Sequence, residues 1–225
     1  MSNNNFTIDY LRDFLGKARS NGYRFLTLKD YVAEGCPTDK VFVLRLDLDI
    51  KPQTIKPFLV VSREMNIPMT VFIRVAGPYN IFWYPTYACL KQINAAKSEI
   101  GFHTAMVEWA KINNEDTESV FAHELAALRS LFPVAGIAPH RDINYVQNSL
   151  PWINENWSHL KQKYNIEYHA YEDRILKNTL YVNEGLSPHL GWRQMTPHEA
   201  IATGKPIYML LHPHWWFQDN PFEAD

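Results

Sequence analysis

The segment 41-VFVLRLDLD-49 carries three charged residues at the end of an apolar run. Successive side chains of a β-strand point to opposite faces, so Arg45, Asp47 and Asp49 share one face and the leucines between them share the other. Pro52 predicts the end of this strand, which places both aspartates at its carboxyl end. In β/α folds, the carboxyl end of the sheet carries the chemistry.

The two aspartates need a compensating partner, because a buried charge costs roughly several kcal/mol when nothing pairs it. Close carboxylates repel each other, and a divalent cation is the usual compensation. One aspartate can then bind the metal while the other serves as a base. The alternative interpretation is an ion pair of Arg45 with Asp47, beside an Asp49 that caps a helix.

Short apolar strands alternate with helical patterns along the rest of the chain. We predict further strands at 23–28, 69–75, 99–103, 134–140, 166–171, 180–183 and 206–212, and helices at about 7–21, 53–66, 86–97, 116–131, 149–164 and 196–203. This alternation predicts a parallel sheet with helices outside it. Seven or eight strands in 225 residues favour one small β/α barrel, complete or incomplete, and we assign residues 1–225 to a single domain.

The composition excludes several classes of protein. A formal net charge of −2 gives no electrostatic argument for binding nucleic acid or an anionic membrane. The only cysteines, Cys36 and Cys89, form neither a disulfide framework nor a metal motif, which suits a reducing compartment. No apolar run approaches the ~18 residues of a membrane span, and no signal segment is evident. We therefore expect a cytoplasmic protein.

Histidines end three of the predicted strands, in 99-EIGFH-103, 134-VAGIAPHR-141 and 208-YMLLHPHWW-216. In a barrel, His103, His140, His212 and His214 would converge on the rim that carries Asp47 and Asp49. A single histidine at a strand end is more often structural, but three such strands beside the aspartate strand favour a metal site. Histidine and aspartate suit zinc, and a catalytic zinc needs only three protein ligands and an open position for water.

Other catalytic motifs are absent from the sequence. Gly101 and Gly136 lie within strands, and the chain has neither a P-loop nor a dinucleotide-binding fingerprint. No serine sits in a G-x-S-x-G elbow, and neither cysteine lies near a strand-end histidine in sequence. The metal hypothesis therefore has no rival of equal specificity.

Five segments, taken in order, resemble the motifs of the polysaccharide deacetylase superfamily, the carbohydrate esterase family 4 group. They are 44-LRLDLD-49, 99-EIGFH-103, 139-PHRD-142, 183-NEGLSPHLGW-192 and 210-LLHPHWW-216. The likeness is greatest to a branch common in surface-polysaccharide gene clusters, and it spans roughly residues 10–217. It implies a distorted, seven-stranded β/α barrel and metal-dependent hydrolysis of an N-acyl or O-acyl group on a sugar.

The resemblance also implies roles for individual residues. Asp47 matches the general base, and Asp49 and His103 match metal ligands. Arg141 matches the arginine that orients the base, and His212 matches the histidine that protonates the leaving group.

The chain departs from the family pattern at several positions. The family carries a second metal histidine four residues after the first, and Val107 stands there in this chain. We predict that His140, at the end of the neighbouring strand, replaces it. Three further family motifs are altered. The histidine of LRHDVD is Leu46 in this chain, and the DS pair of DSxxxW is Asn183 and Glu184. The glutamate of HPEWW is His214.

We therefore expect a divalent metal, Zn²⁺ being the first choice, on Asp49, His103 and His140. The predicted substrate is an amino sugar, nucleotide-linked or lipid-linked, from which an acetyl or formyl group is removed during surface-polysaccharide or lipopolysaccharide biosynthesis. The residues expected to contact it are Arg45, Trp192, His214, Trp215 and Trp216. Two alternatives remain open: a non-catalytic relative that binds a sugar or a partner, and a metal amidase or cyclic-imide hydrolase with a small non-sugar substrate.

Overall fold

The computed structural model describes residues 6–140, 149–185 and 191–217. Its strands are β1 (Arg24–Leu26), β2 (Val41–Leu48), β3 (Thr70–Arg74), β4 (Glu99–Thr104), β5 (Gly136–Pro139), β6 (Tyr168–His169), β7 (Leu180–Asn183) and β8 (Ile207–Leu211). Every pairing between them is parallel, and seven strands run in the order β6-β5-β4-β3-β2-β8-β7. Strand β1 pairs with the first half of β2, ahead of β3 on the same edge.

Helices connect most of these strands, as the alternation predicts. They are α1 (Ile8–Ser20), α2 (Leu28–Ala33), α3 (Lys56–Met65), α4 (Tyr84–Ala95), α5 (Met106–Asn113), α6 (Thr117–Arg129), α7 (Ser149–Tyr164), α8 (Asp173–Leu176) and α9 (Pro197–Ala202). Short 3-10 helices span Pro52–Ile55 and Pro213–Trp215. Within the described ranges, no helix is both long and apolar enough to cross a lipid bilayer.

Strand β2 lies inside the sheet, and all eight of its residues are buried. Leu44, Leu46 and Leu48 belong to the larger apolar core, which also contains the buried stripe of α1. Val41 and Val43 belong to a second core cluster on the opposite face, and Arg45 and Asp47 follow them on that face. The alternation predicted for this strand is confirmed.

The sheet curls into a half-barrel, and side chains bridge its open seam. Strands β6 and β7 form its two ends, and no backbone pairing joins them in the part of the chain that the structure describes. The rings of Tyr171, just after β6, and Tyr181, in β7, lie 6.2 Å apart, and Tyr181 lies 5.4 Å from the ring of Tyr208 in β8. Within the described residues, the predicted distorted barrel is thus an open, curled sheet.

Two strand glycines make room for aromatic rings on the concave face of this sheet. A Cβ atom at Gly101 would overlap the ring of Phe72, and one at Gly136 would overlap the ring of Tyr168. Phe72 and Tyr168 are fully buried in the cluster that fills the concave side. These glycines therefore serve packing rather than phosphate binding.

We expect Gly136→Ala to lower the free energy of unfolding by about 1–3 kcal/mol, because the added methyl group forces the buried Tyr168 ring to move. Urea unfolding measures the change. Gly16→Ala is the matched control, since a Cβ in the middle of α1 would meet only the Met65 terminal methyl, at 3.9 Å. The control should be neutral or stabilising by up to about 1 kcal/mol. Equal effects of the two substitutions would contradict the packing role.

Candidate metal centre

The carboxyl ends of β2, β4 and β5 bring three potential metal ligands together. Asp49 follows β2 directly, His103 lies near the end of β4, and His140 follows β5. Strands β4 and β5 pair His103 with Ala138, two residues before His140. One ligand atom from each of the three residues lies within 4.8 Å of the others. The structure thus brings the predicted ligand set together, with His140 in place of a histidine at Val107.

His103 is buried and oriented by the backbone of the neighbouring strand. Its Nδ1 lies 2.9 Å from the carbonyl oxygen of Ala138. A carbonyl only accepts hydrogen bonds, so Nδ1 carries a proton and Nε2 faces the aspartates. Nε2 lies 3.3 Å from Asp47 Oδ2 and 3.3 Å from Asp49 Oδ1. Metal-binding histidines are commonly oriented by such a bond from the other ring nitrogen.

Asp49 and His140 each carry a buried polar atom that has no hydrogen-bond partner among the described residues. The atoms are Asp49 Oδ1 and His140 Nδ1. His140 Nε2 lies 3.8 Å from Asp49 Oδ1, beyond a normal hydrogen bond. Buried polar atoms without partners are rare and costly, and an ion is one recognised explanation. The residues present therefore fit a divalent cation.

The protonation states of these groups also suit a metal. Burial opposes ionisation of Asp49, but the close His103 ring, 3.3 Å away, and the charges of His103, His212 and His140 outweigh it and hold the pKa of Asp49 below its usual range. Burial lowers the pKa of His140 to about 4, and the charge of His103 acts in the same direction. An ionised carboxylate and a neutral imidazole are the forms that bind metals.

Asp47 is held in a buried, two-pronged ion pair with Arg45. Arg45 Nε and Nη2 each lie 2.8 Å from one carboxylate oxygen, and Nη1 donates to the Tyr208 hydroxyl at 3.1 Å. The guanidinium also lies over the Phe72 and Tyr171 rings, at 5.0 and 4.8 Å from their centroids. Burial opposes ionisation of Asp47, but the Arg45 charge keeps the pKa of Asp47 below its usual value.

This ion pair is the one that the alternative interpretation of the strand describes. The capping role does not follow, because the 3-10 helix after β2 has Lys51 as its N-cap and Asp49 faces the histidines. Arg45 is fully buried, so a contact with substrate would require it to leave Asp47. Arg141, expected to orient the base, lies outside the described residues.

His212 approaches the same site from β8 and is paired with Glu184. Its Nδ1 and its backbone N–H lie 2.8 and 2.7 Å from Glu184 Oε2, and its Nε2 lies 3.7 Å from Asp49 Oδ2. The Trp216 indole N–H donates to the other Glu184 oxygen. Burial opposes protonation of His212, but Glu184, with Asp49 and Asp47, raises its pKa to about 9. His212 is therefore a proton donor at neutral pH.

Glu184 was noted in the sequence only as a departure from a family motif. The pairing of β7 with β8 explains why Glu184 reaches His212, because Asn183 in β7 pairs with Leu210 in β8, two residues before His212. An acidic residue directly after β7 is therefore adjacent to the strand-end histidine. This inference requires knowing that β7 and β8 are neighbours.

We expect Glu184→Gln to lower the pKa of His212 from about 9 toward the ordinary 6.5, because it removes the negative charge that stabilises the imidazolium. NMR titration of the ring protons in metal-free protein measures it. Glu118→Gln is the control, since Glu118 pairs with the exposed His159 and should leave His212 unchanged. If the pKa of His212 stayed near 9 in the Glu184 variant, Asp47 and Asp49 would be sufficient to stabilise its protonated form.

The tryptophans expected at the substrate site divide into two groups. Trp215 packs its ring against His212 at a centroid distance of 4.4 Å, and the His214 ring lies 5.2 Å from Trp215. Trp192 and Trp216 instead pack around Phe6, at 5.5 and 5.6 Å, and Trp216 is only 6% exposed. Trp215 and His214 thus lie beside His212, whereas Trp192 and Trp216 contribute to the core.

Comparison of the chain with protein-family models, with curated proteins and with solved structures finds no match. The resemblance to polysaccharide deacetylases therefore rests on the five motifs.

Proposed function

We propose that this protein is a metal-dependent hydrolase that removes an N-acyl group, acetyl or formyl, from an amino sugar. The observation that carries the proposal is the convergence of Asp49, His103 and His140 ligand atoms within 4.8 Å, beside an ionised Asp47 and a protonated His212. A carboxylate base and an imidazolium acid flanking a metal site match the requirements of amide hydrolysis.

Asp49, His103 and His140 would hold the metal. A divalent ion such as Zn²⁺, when bound, polarises the acyl carbonyl and lowers the pKa of a coordinated water toward ~7. His103 is kept in the required tautomer by the Ala138 carbonyl. His140 stays neutral because burial lowers its pKa to about 4.

Asp47 and His212 would move the protons of the reaction. Asp47, kept anionic by Arg45, accepts a proton from the attacking water as its oxygen bonds to the acyl carbon. The imidazolium of His212 donates its Nε2 proton to the sugar nitrogen as the carbon–nitrogen bond breaks. Glu184 holds His212 in the orientation and charge state that this donation requires. The products are a carboxylic acid and a free amino sugar.

The sugar substrate is the finer part of the proposal and is supported by the motif resemblance. The rings of Trp215 and His214 lie next to His212, and in this proposal they would contact the sugar ring. A nucleotide-linked or lipid-linked sugar of surface-polysaccharide or lipopolysaccharide biosynthesis is the substrate class proposed, with the reaction in the cytoplasm.

The test is hydrolysis by the zinc-loaded full chain. N-acetyl and N-formyl amino sugars, free and nucleotide-linked, are compared with cyclic imides, and the released amine is detected with fluorescamine. We expect amine release from the sugars, its loss with a chelator, and its recovery on adding zinc. Turnover of the cyclic imides alone would instead support an imide hydrolase. An Asp47→Asn variant, prepared in parallel, excludes a contaminating hydrolase.

A second candidate function follows from the Arg45–Asp47 pair. Because both Asp47 oxygens accept from Arg45, the expected base is already engaged, and this favours a non-catalytic protein that binds a sugar. Near-stoichiometric bound zinc together with zinc-dependent turnover would exclude this alternative.

A further inference from the structure

Arg74 is a cationic residue at the rim that no part of the proposed reaction uses. It is the last residue of β3, and its Cα pairs with that of the metal-site residue His103 in β4. Phe72, two residues earlier, lies on the concave face beneath the Arg45 guanidinium. Side chains two apart in a strand share a face, so Arg74 lies on the concave face at its carboxyl edge. It is therefore a direct neighbour of the candidate metal centre.

The Arg74 side chain has no partner among the described residues. Its Nε is buried without a hydrogen bond, and no hydrogen bond or ion pair of its guanidinium is found in the described ranges. A guanidinium is always charged and offers five donors, so burying its Nε without a partner is unfavourable. Other arginines make such contacts, including Arg12, Arg24, Arg45, Arg129 and Arg174.

The backbone of Arg74 is fixed by the loop that follows β3. The Tyr79 hydroxyl accepts from the Arg74 N–H at 3.0 Å and donates to the Leu48 carbonyl oxygen at 2.7 Å, which ties the ends of β3 and β2 together. The loop also crosses the arginine stem closely, because a Cβ at Gly77 would lie 3.0 Å from the Arg74 Cβ. The backbone and Cβ of Arg74 are therefore held in place before any ligand binds, which reduces the entropy cost of binding.

Nearby carboxyl groups do not neutralise this charge. Glu124 interacts with Arg74, but burial raises its pKa to about 7, against the opposing effects of the Ala76 N–H, Arg74 and the Thr104 hydroxyl. Glu124 is thus only partly ionised at neutral pH. Asp47 is occupied by Arg45, and Asp49 faces the histidines.

We propose that Arg74 forms an oxyanion-binding subsite beside the metal centre, which takes a phosphate or carboxylate group on the sugar whose acyl group is removed. This inference rests on the proposed function for the sugar, and it narrows the substrate class to acidic sugar derivatives. The planar guanidinium suits both groups, since it can donate two parallel hydrogen bonds to either oxyanion.

The test measures binding to the metal-free full chain by calorimetry, so that hydrolysis does not intervene. The probes are N-acetylglucosamine 1-phosphate, N-acetylmuramic acid and uncharged N-acetylglucosamine. We expect at least one charged sugar to bind about 10-fold or more tightly than the neutral one. The charged probe that is preferred identifies the phosphate or the carboxylate as the natural group.

The tighter binding of the charged sugar should disappear in Arg74→Gln. It should survive in part in Arg74→Lys, because lysine keeps the positive charge but cannot donate the two parallel hydrogen bonds of a guanidinium. Arg63→Gln, a substitution at an exposed arginine of α3, is the matched control and should retain the full preference. Thermal unfolding checks that each variant is folded. A preference that persists in Arg74→Gln would overturn the proposal, as would equal affinities of the wild-type chain for all three sugars or no binding.

Chemical modification gives a second measurement that needs no variant. Phenylglyoxal should modify Arg74 in the wild-type chain, and the preferred charged sugar should protect it, as read by peptide mass spectrometry. Unprotected labelling would count against the subsite. An Arg74-dependent preference without any hydrolysis by the zinc-loaded chain would refute the proposed function and leave the subsite standing.

Discussion

Asp49→Ala is expected to abolish stoichiometric zinc binding and, with it, amide hydrolysis. Asp49 is the only anionic member of the three-residue ligand set, and its buried Oδ1 has no hydrogen-bond partner within the described part of the chain. Loss of residues that merely orient metal ligands typically costs 10–100-fold in affinity, so loss of a ligand should lower zinc affinity by more than about 100-fold. Competition with a chelating dye and metal analysis of the purified variant measure the effect.

Two further variants make this result specific. Asp39→Ala removes an exposed carboxylate that pairs with Arg24 and should keep full zinc content. His140→Ala should lose zinc almost as completely as Asp49→Ala, because His140 supplies one of the three converging ligand atoms. If Asp49→Ala retained both bound zinc and hydrolysis, the ligand assignment would be wrong.

Arg45→Met is expected to destabilise the fold by about 3–5 kcal/mol, the usual cost of removing one partner of a buried ion pair. Arg45 is fully buried and Asp47 is 2% exposed, so the substitution leaves a buried carboxylate without its two-pronged partner on the concave side of the sheet. Urea unfolding at neutral pH measures the loss. The effect does not depend on the proposed reaction, because it follows from the ion pair alone.

The surface pair of Arg24 with Asp39 and Glu34 provides the control. Arg24→Met should cost about 0–1 kcal/mol, since all three side chains are substantially exposed. A double variant, Arg45→Met with Asp47→Leu, should recover much of the stability lost in Arg45→Met, because no buried charge remains. If Arg45→Met cost no more than Arg24→Met, Asp47 would have to be compensated by another group.

The sequence predicts the sheet well because strands leave a strong local pattern. Each predicted strand is present, with bounds that differ by at most two residues at either end. The helices α2, α5 and α8, of six, eight and four residues, are not among the predicted ones, because such short spans show little helical period. Helix α9, also six residues long, is predicted, and it begins with a capping box of Thr196 and Glu199. The sequence leaves open whether the barrel is complete, and the structure shows no backbone pairing between β6 and β7 within the described residues.

The candidate metal centre was predictable where it depends on strand ends alone. Asp49, His103 and His140 converge because the carboxyl ends of parallel strands meet at one edge. The partners of these residues were less predictable, since side-chain pairing depends on burial and register. Whether Arg45 or Arg141 would pair with Asp47 was left open, and neither the Glu184–His212 contact nor the position of Arg74 was foreseen.

The side-chain seam between β6 and β7 has a consequence for the internal motions of the protein. Backbone hydrogen bonds hold β2 on both edges, whereas tyrosine rings bridge the gap between β6 and β7. Local opening of lowest free energy is therefore expected along that gap, and amide hydrogens of β6 and β7 should exchange with deuterium sooner than those of β2. Such local opening would leave the strands that carry Asp49, His103 and His140 paired. The distances between these three ligands should therefore not change when the gap between β6 and β7 widens.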